Sequence, residues 1–172
     1  WKKFKRIYEE GETPVYNNYD TFSAKTAEDV KITFTVTNSK DKECVVGAYY
    51  SEWNNPWFPA IDHETQGVIT IPEKVNGFSV VGIAKDAFYD CQNICVVKIP
   101  NTVKSISEAA FQNCIKLYSV NIPNGVVTIA KNAFGYCKQL SSISIPNSVN
   151  SIGNRAFFNS GLNSLYISIA VR

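Results

Sequence analysis

A chain of 172 residues, 45% hydrophobic and 19% charged, has the composition of one or two small folded domains. No run approaches the 18 or more apolar residues of a membrane helix, and the formal charge of +2 comes with no zinc-finger, helix-turn-helix or RNP-type signature, which argues against a nucleic-acid partner. That charge is unevenly placed: residues 1–66 hold eight basic and eleven acidic side chains, residues 67–172 nine and four.

The first stretch, Trp1-Lys2-Lys3-Phe4-Lys5-Arg6, lacks the apolar core and cleavage site of a secretory signal. A chain starting on Trp rather than Met reads as a trimmed portion of a longer one. Residues 1–29 read as an irregular lead-in, polar and turn-prone around Gly11-Glu12-Thr13-Pro14 and Asn17-Asn18-Tyr19-Asp20. Residues 30–66 read as a small β module. Val30, Ile32, Phe34 and Val36 alternate with Lys31, Thr33, Thr35 and Thr37, the period of a half-buried strand. Asn38-Ser39-Lys40-Asp41 supplies turn chemistry, and Cys44-Val45-Val46-Gly47 returns as the second arm of a hairpin. Next comes Tyr49-Tyr50-Ser51-Glu52-Trp53-Asn54-Asn55-Pro56-Trp57-Phe58-Pro59, an aromatic loop that suits either a solenoid cap or a ligand contact. Ile69-Thr70-Ile71 is a third short strand, at the entry to the repetitive part of the chain.

Residues 67–172 repeat. Ile99-Pro100-Asn101-Thr102-Val103 is answered by Ile122-Pro123-Asn124-Gly125-Val126 and Ile145-Pro146-Asn147-Ser148-Val149, each 23 residues after the last. Phe88, Phe111, Phe134 and Phe157 keep the same period, each preceded by Ala, with Ile83, Ile106, Ile129 and Ile152 five residues earlier. A unit of 20–29 residues that cannot bury its apolar side alone must stack on its neighbours. The expected fold is therefore a β-rich α/β solenoid, a leucine-rich repeat of about four 23-residue coils behind an N-terminal β-hairpin cap. Leu117, Val120 and Ile122 should point inward, matched by Leu140, Ile143, Ile145 and by Leu162, Leu165, Ile167. Val96 and Lys98, Ser119 and Asn121, Ser142 and Ser144, Ser164 and Tyr166 should face outward.

The pattern Ile-Pro-Asn-x-Val-x-x-Ile-x-x-x-Ala-Phe-x-x-Cys-x-x-Leu resembles the BspA-type leucine-rich repeat of surface proteins from gut and oral anaerobic bacteria and some mucosal parasites. The longer first unit from Ile71, with five extra residues, resembles that family's opening repeat, and Phe157-Phe158-Asn159-Ser160-Gly161-Leu162 its shortened variant. The resemblance implies an exported, surface-exposed protein of bacteria that recognises or adheres to host proteins, glycans or other cells. It carries over no catalytic residue, because the family's motif is a core motif.

Candidate chemistry is sparse. Cys91, Cys114 and Cys137 fall on the repeat, with Ser160 in the fourth slot, and should form an interior column of thiols. Stacked coils about 4.8 Å apart are within disulfide range, yet parallel side chains do not present the required torsion. Cys44 and Cys95 make the total odd, which argues against a complete disulfide framework. With one histidine, His63, and no Cys-x-x-Cys pair, neither a metal nor any other cofactor is expected. Asp62-His63-Glu64 could be drawn beside Cys44 or Ser51 as a hydrolytic device, but a polar turn is the simpler reading.

The expected function is non-enzymatic recognition or adhesion. The alternative is a structural spacer that presents another domain. The residues offered as partner contacts are Tyr50, Trp53, Trp57, Phe58, Lys98, Asn121 and Tyr166. The apolar C-terminal stretch Leu165–Val171 lacks a polar cap, so its edge is a candidate for self-association.

Overall fold

A computed structural model of the chain describes residues 16–47 and 59–167, the last three by their backbone. Three strands precede the repeats: β1 (Thr21–Lys25), β2 (Lys31–Asn38) and β3 (Glu43–Val46). The expected hairpin is β2 with β3, and its turn is fastened by Asn38, whose side-chain oxygen accepts from the N–H groups of Lys40 and Asp41 at 3.1 Å each. Ile32, Phe34 and Val36 enter the core as their alternation requires. Thr35, on the face read as polar, is also buried, and its hydroxyl donates to the Gly47 carbonyl at 2.7 Å. β1 lies inside the stretch read as irregular; it pairs antiparallel with β2, and Phe22 stacks on Phe34 at 5.7 Å.

The solenoid follows as β4 (Gly67–Thr70), β5 (Lys74–Val75), β6 (Phe78–Ile83), β7 (Ile94–Lys98), β8 (Ser105–Ile106), β9 (Ser119–Val120), β10 (Thr128–Ile129), β11 (Ser142–Ile145), β12 (Ser151–Ile152) and β13 (Ser164–Ile167). One wall is the continuous order β1-β2-β3-β6-β8-β10-β12, and the opposite wall holds β4-β7-β9 and β11-β13. Because β3 pairs parallel with β6, the hairpin extends the solenoid's own sheet. Ile83, Ile106, Ile129 and Ile152 stand one per rung on the first wall, each one turn of the coil from the next.

The five extra residues of the first unit make a second hairpin, β5 with β6. Asn76 and Gly77 turn it with φ of 48° and 81°, the paired positive angles that favour Asn-Gly in a two-residue loop. Phe78 thereby reaches the rings of Tyr16 and Phe22, at 5.6 and 6.1 Å, and Lys42 lies over it at 5.1 Å. The longer repeat is the element that joins the hairpin module to the coils.

No helix occurs among the described residues, so the α component expected of an α/β solenoid is not found there. The reason is local. Each coil turns through two left-handed residues four apart: Asp86 and Asp90, Ala109 and Asn113, Asn132 and Tyr136, Arg155 and Asn159, all with φ between 53° and 65°. Such residues break a right-handed helix. Between them the chain still bonds from coil to coil: Phe88, Phe111 and Phe134 donate to the carbonyls of Ala110, Ala133 and Ala156 at 2.7–2.8 Å. The four Phe rings accordingly stack at 4.9, 5.2 and 5.5 Å, within 3–6° of parallel.

The two ends differ. At the N-terminal end the 59–61 segment covers the first coil, with Thr33 N–H donating to Ala60 carbonyl at 2.8 Å and Ala60 N–H to Ala87 carbonyl at 2.5 Å. At the C-terminal end Ile152 is 44% exposed, whereas the other three Ile of its column are fully buried. The N–H groups of Arg155, Phe157 and Asn159, whose counterparts Asn132, Phe134 and Tyr136 donate to the next coil, find no acceptor among the described residues.

Candidate interaction surface

The wall of β4, β7, β9, β11 and β13 carries the outward strip in the expected register. Thr70 pairs with Lys98, Val96 with Ser119, Ser142 with Ser164 and Ser144 with Tyr166. Leu117, Leu140, Ile143 and Ile145 are buried behind it, with Val120 and Ile122 nearly so. Lys98, Ser119, Ser142 and Ser144 are exposed, and Tyr118 beside them is exposed as well. Tyr166 takes its place by backbone register alone. Asn121 is exposed too, in the outward position expected, and its amide donates to the Ile99 carbonyl and accepts from the Ile99 N–H, both at 2.8 Å. It extends the ladder beyond β9, so its polar atoms are spent on the neighbouring coil. Tyr50, Trp53, Trp57 and Phe58 lie outside the described residues.

The cysteines are all free. Cys91, Cys114 and Cys137 form the expected interior column, and two of them do more than fill space. The Cys114 thiol donates to the Phe88 carbonyl at 3.0 Å and that of Cys137 to Phe111 at 3.1 Å. Burial pushes Cys44, Cys91 and Cys137 up to about 12 and Cys114 well above the ordinary thiol range. These sulfurs stay protonated and unreactive at neutral pH. His63 sits in a polar turn where Glu64 N–H donates to Asp62 Oδ1 at 2.9 Å, and its Nδ1 meets the Asp90 carbonyl at 3.2 Å. The described residues hold no group of three His, Cys, Asp or Glu able to bind a metal, and no helix among them is long and apolar enough to cross a membrane.

A second exposed cluster lies on the corner turns of the last two coils. The Tyr136 and Phe158 rings meet edge to face at 5.6 Å, held by a 2.8 Å bond from Tyr136 N–H to Phe158 carbonyl. Lys138 Nζ lies 5.6 Å over Tyr136 and the Arg155 guanidinium 5.3 Å over Phe158. Tyr136 and Phe158 remain 37% and 47% exposed as whole residues. The sequence did carry a signal for this cluster: the matching slots of earlier coils hold Asn113 for Tyr136, Gly135 for Phe158 and Asn132 for Arg155.

Stacked parallel strands joined by short turns, with ladders of Ile, Phe and Leu inside, define a leucine-rich-repeat solenoid. Residues 67–172 match the BspA type leucine rich repeat region in six copies, and the chain belongs to that family. A leucine-rich repeat protein from Bacteroides ovatus is 30% identical with a TM-score of 0.61, over 80% of this chain and 39% of its own length. One from Bacteroides capillosus is 25% identical with a TM-score of 0.63, over 86% of this chain and 99% of its own. A leucine rich cell surface protein from Faecalibacterium prausnitzii shares the fold at 23% identity, with a TM-score of 0.53 over 87% of this chain and 40% of its own. No curated protein matches the chain.

Proposed function

We propose that the chain is a non-enzymatic recognition module displayed at a bacterial surface, which binds a protein or glycan of a host or neighbouring cell. The observation that carries this reading is the division of labour along the repeat. The recurring Ile, Phe, Leu and Cys side chains are consumed by the core, and the thiols are held protonated by burial. What varies from coil to coil is the outer surface, as expected of a solenoid that binds by its faces. Export follows from the same reading and is supported by the surface-protein description of the Faecalibacterium relative. Lys98, Tyr166 and the aromatic loop with Tyr50, Trp53, Trp57 and Phe58 are the proposed contacts on the strand wall and cap.

The strip of Ser119, Ser142 and Ser144 offers hydrogen bonds but few anchors. It favours the second reading, a spacer that holds another domain away from the cell. Presenting the purified chain to arrays of host matrix proteins, bacterial cells and glycans separates the two. Saturable capture that weakens in a Trp53→Ala/Trp57→Ala or Lys98→Ala variant with an unchanged melting temperature supports recognition. Absence of capture on every array supports the spacer.

A further inference from the structure

We propose that Tyr136, Phe158, Lys138 and Arg155 form a binding site for an acidic carbohydrate, a chain of sugar rings bearing carboxylate or sulfate groups. The proposal rests on the recognition reading above and adds to it a site and a ligand class.

The fold does not require this cluster. The slots of Tyr136 and Phe158 are filled by Asn113 and Gly135 one coil earlier, with the same backbone path. Tyr136 and Arg155 moreover adopt φ of 60° and 57°, where Asp90, Asn113, Asp86 and Asn132 sit in the equivalent turns. Asn and Asp tolerate that region, whereas a bulky aromatic or a long cation is strained there. The chain accepts strain at two positions and thereby presents two exposed aromatic residues, each with one ring face under a cation.

The chemistry selects the ligand. Partly exposed aromatic rings stack on the C–H faces of sugars, and the planar guanidinium matches a carboxylate or sulfate through two parallel hydrogen bonds. Residues 109–172 contain no Asp or Glu, so no carboxylate of the last coils competes for Lys138 and Arg155, and Lys116 adds to the positive field. Glu108, the nearest acidic residue in sequence, lies within 3.7 Å of Lys85 and 3.4 Å of Lys131.

The test uses heparin and hyaluronan oligosaccharides as probes, with chitooligosaccharides as neutral controls and poly-glutamate as the acidic-peptide control. Tyr136→Asn with Phe158→Gly, and separately Lys138→Gln with Arg155→Asn, install residues that earlier coils already use in these turns, so both proteins should fold. Expected is binding of the acidic sugars that weakens with salt and falls at least about tenfold in each double variant, a difference of about 1.4 kcal/mol. Acidic-sugar binding unchanged in both variants overturns the site, and equal binding of chitooligosaccharides or poly-glutamate overturns the ligand class. If the chain captures a host protein or cell but neither heparin nor hyaluronan, this proposal alone fails. If it captures nothing on any array, the recognition reading fails with it.

Discussion

Cys114 and Phe88 are 26 residues apart in the chain and joined by one hydrogen bond, from the thiol to the backbone carbonyl at 3.0 Å. Cys137 repeats it on Phe111 at 3.1 Å. The column that the sequence marks as small and apolar is therefore also a line of donors fastening each coil to the one before. In the fourth slot Ser160 reaches only its own coil, donating to Phe157 at 2.8 Å; a C–O bond is shorter than a C–S bond, and the hydroxyl closes locally.

Substitutions at Cys114 should separate packing from hydrogen bonding. Cys114→Ala loses volume and donor together and is expected to cost about 1–3 kcal/mol. Cys114→Val removes the donor without leaving a void but adds a methyl group's volume, so its cost reads the lost donor together with that overpacking. Equal stability of the Val variant and the parent protein, by urea unfolding, would reduce the thiol to a spacer.

Burial of the thiols makes a prediction for alkaline pH. In the unfolded chain a thiol ionises near 9.0, whereas folded Cys44, Cys91 and Cys137 are pushed up to about 12. A folded-state pKa raised above the unfolded one means the contribution is complete below pH 9.0 and lost as pH rises from there toward 12. The melting temperature should fall over that window, and less steeply in a Cys91→Ala/Cys137→Ala variant once its lower baseline is allowed for. At pH 8, half-buried Cys95 should react with Ellman's reagent well before the four buried thiols; five equally fast thiols would contradict the column.

Most of the solenoid was legible because stacking forces the same side chain into the same slot of every coil, and a period of 23 is visible without structure. The inward assignments of Leu117, Leu140, Ile143 and Ile145 followed from it. What escaped was set by single copies. β1 has only Phe22 and Ala24 to mark its inner face, too short an alternation to separate from a loop. The five-residue insertion gave no hint that Phe78 would meet Tyr16 and Phe22, since that contact spans the chain from module to coil. Asn121 looked like a free polar group because register tells which way a side chain points but not that its amide is the right length to reach Ile99. The Tyr136 and Phe158 pair was hidden for the opposite reason: attention to what repeats passes over residues whose meaning is that they do not.

The shortened last unit depends on Gly161. With one residue fewer, the chain cuts closer to the coil above, where Gly161 N–H donates to the Cys137 carbonyl at 3.0 Å. A Cβ at Gly161 would lie 2.2 Å from the Lys138 carbonyl oxygen, which is backbone and has little room to yield. Gly161→Ala should cost about 1–3 kcal/mol as an overpacking change. Gly135→Ala, whose Cβ would come no closer than 3.3 Å to Asn132, should cost clearly less in the same denaturant titration. The reverse order would place the tight approach elsewhere.

Glu28 guards the edge of β4 that no strand among the described residues pairs with. The turn between β1 and β2 reaches across to it, and the Glu28 carboxylate accepts from the Thr70 hydroxyl at 2.5 Å and the Thr70 N–H at 3.3 Å. An unpaired edge strand invites pairing with another chain, and here a side chain stands where a neighbouring strand would be. The Thr70 hydroxyl holds the carboxyl below its ordinary 4.5, against a smaller opposing effect of burial. A folded pKa below the unfolded one contributes stability above pH 4.5, and that contribution is lost as pH falls through the lowered value. Glu28 is almost fully solvated, so the global effect should be small and the local one clear. Hydrogen exchange at the Thr70 amide, read as protection relative to the intrinsic rate at each pH, is the direct readout, with lower protection expected in Glu28→Ala and in the parent protein at acid pH. Glu28→Gln should keep partial protection and remove its pH dependence, because a neutral amide still accepts from Thr70. Unchanged Thr70 protection in the Ala variant would mean the edge is covered by something other than Glu28, and the turn between β1 and β2 would lose its role as the cap of this wall.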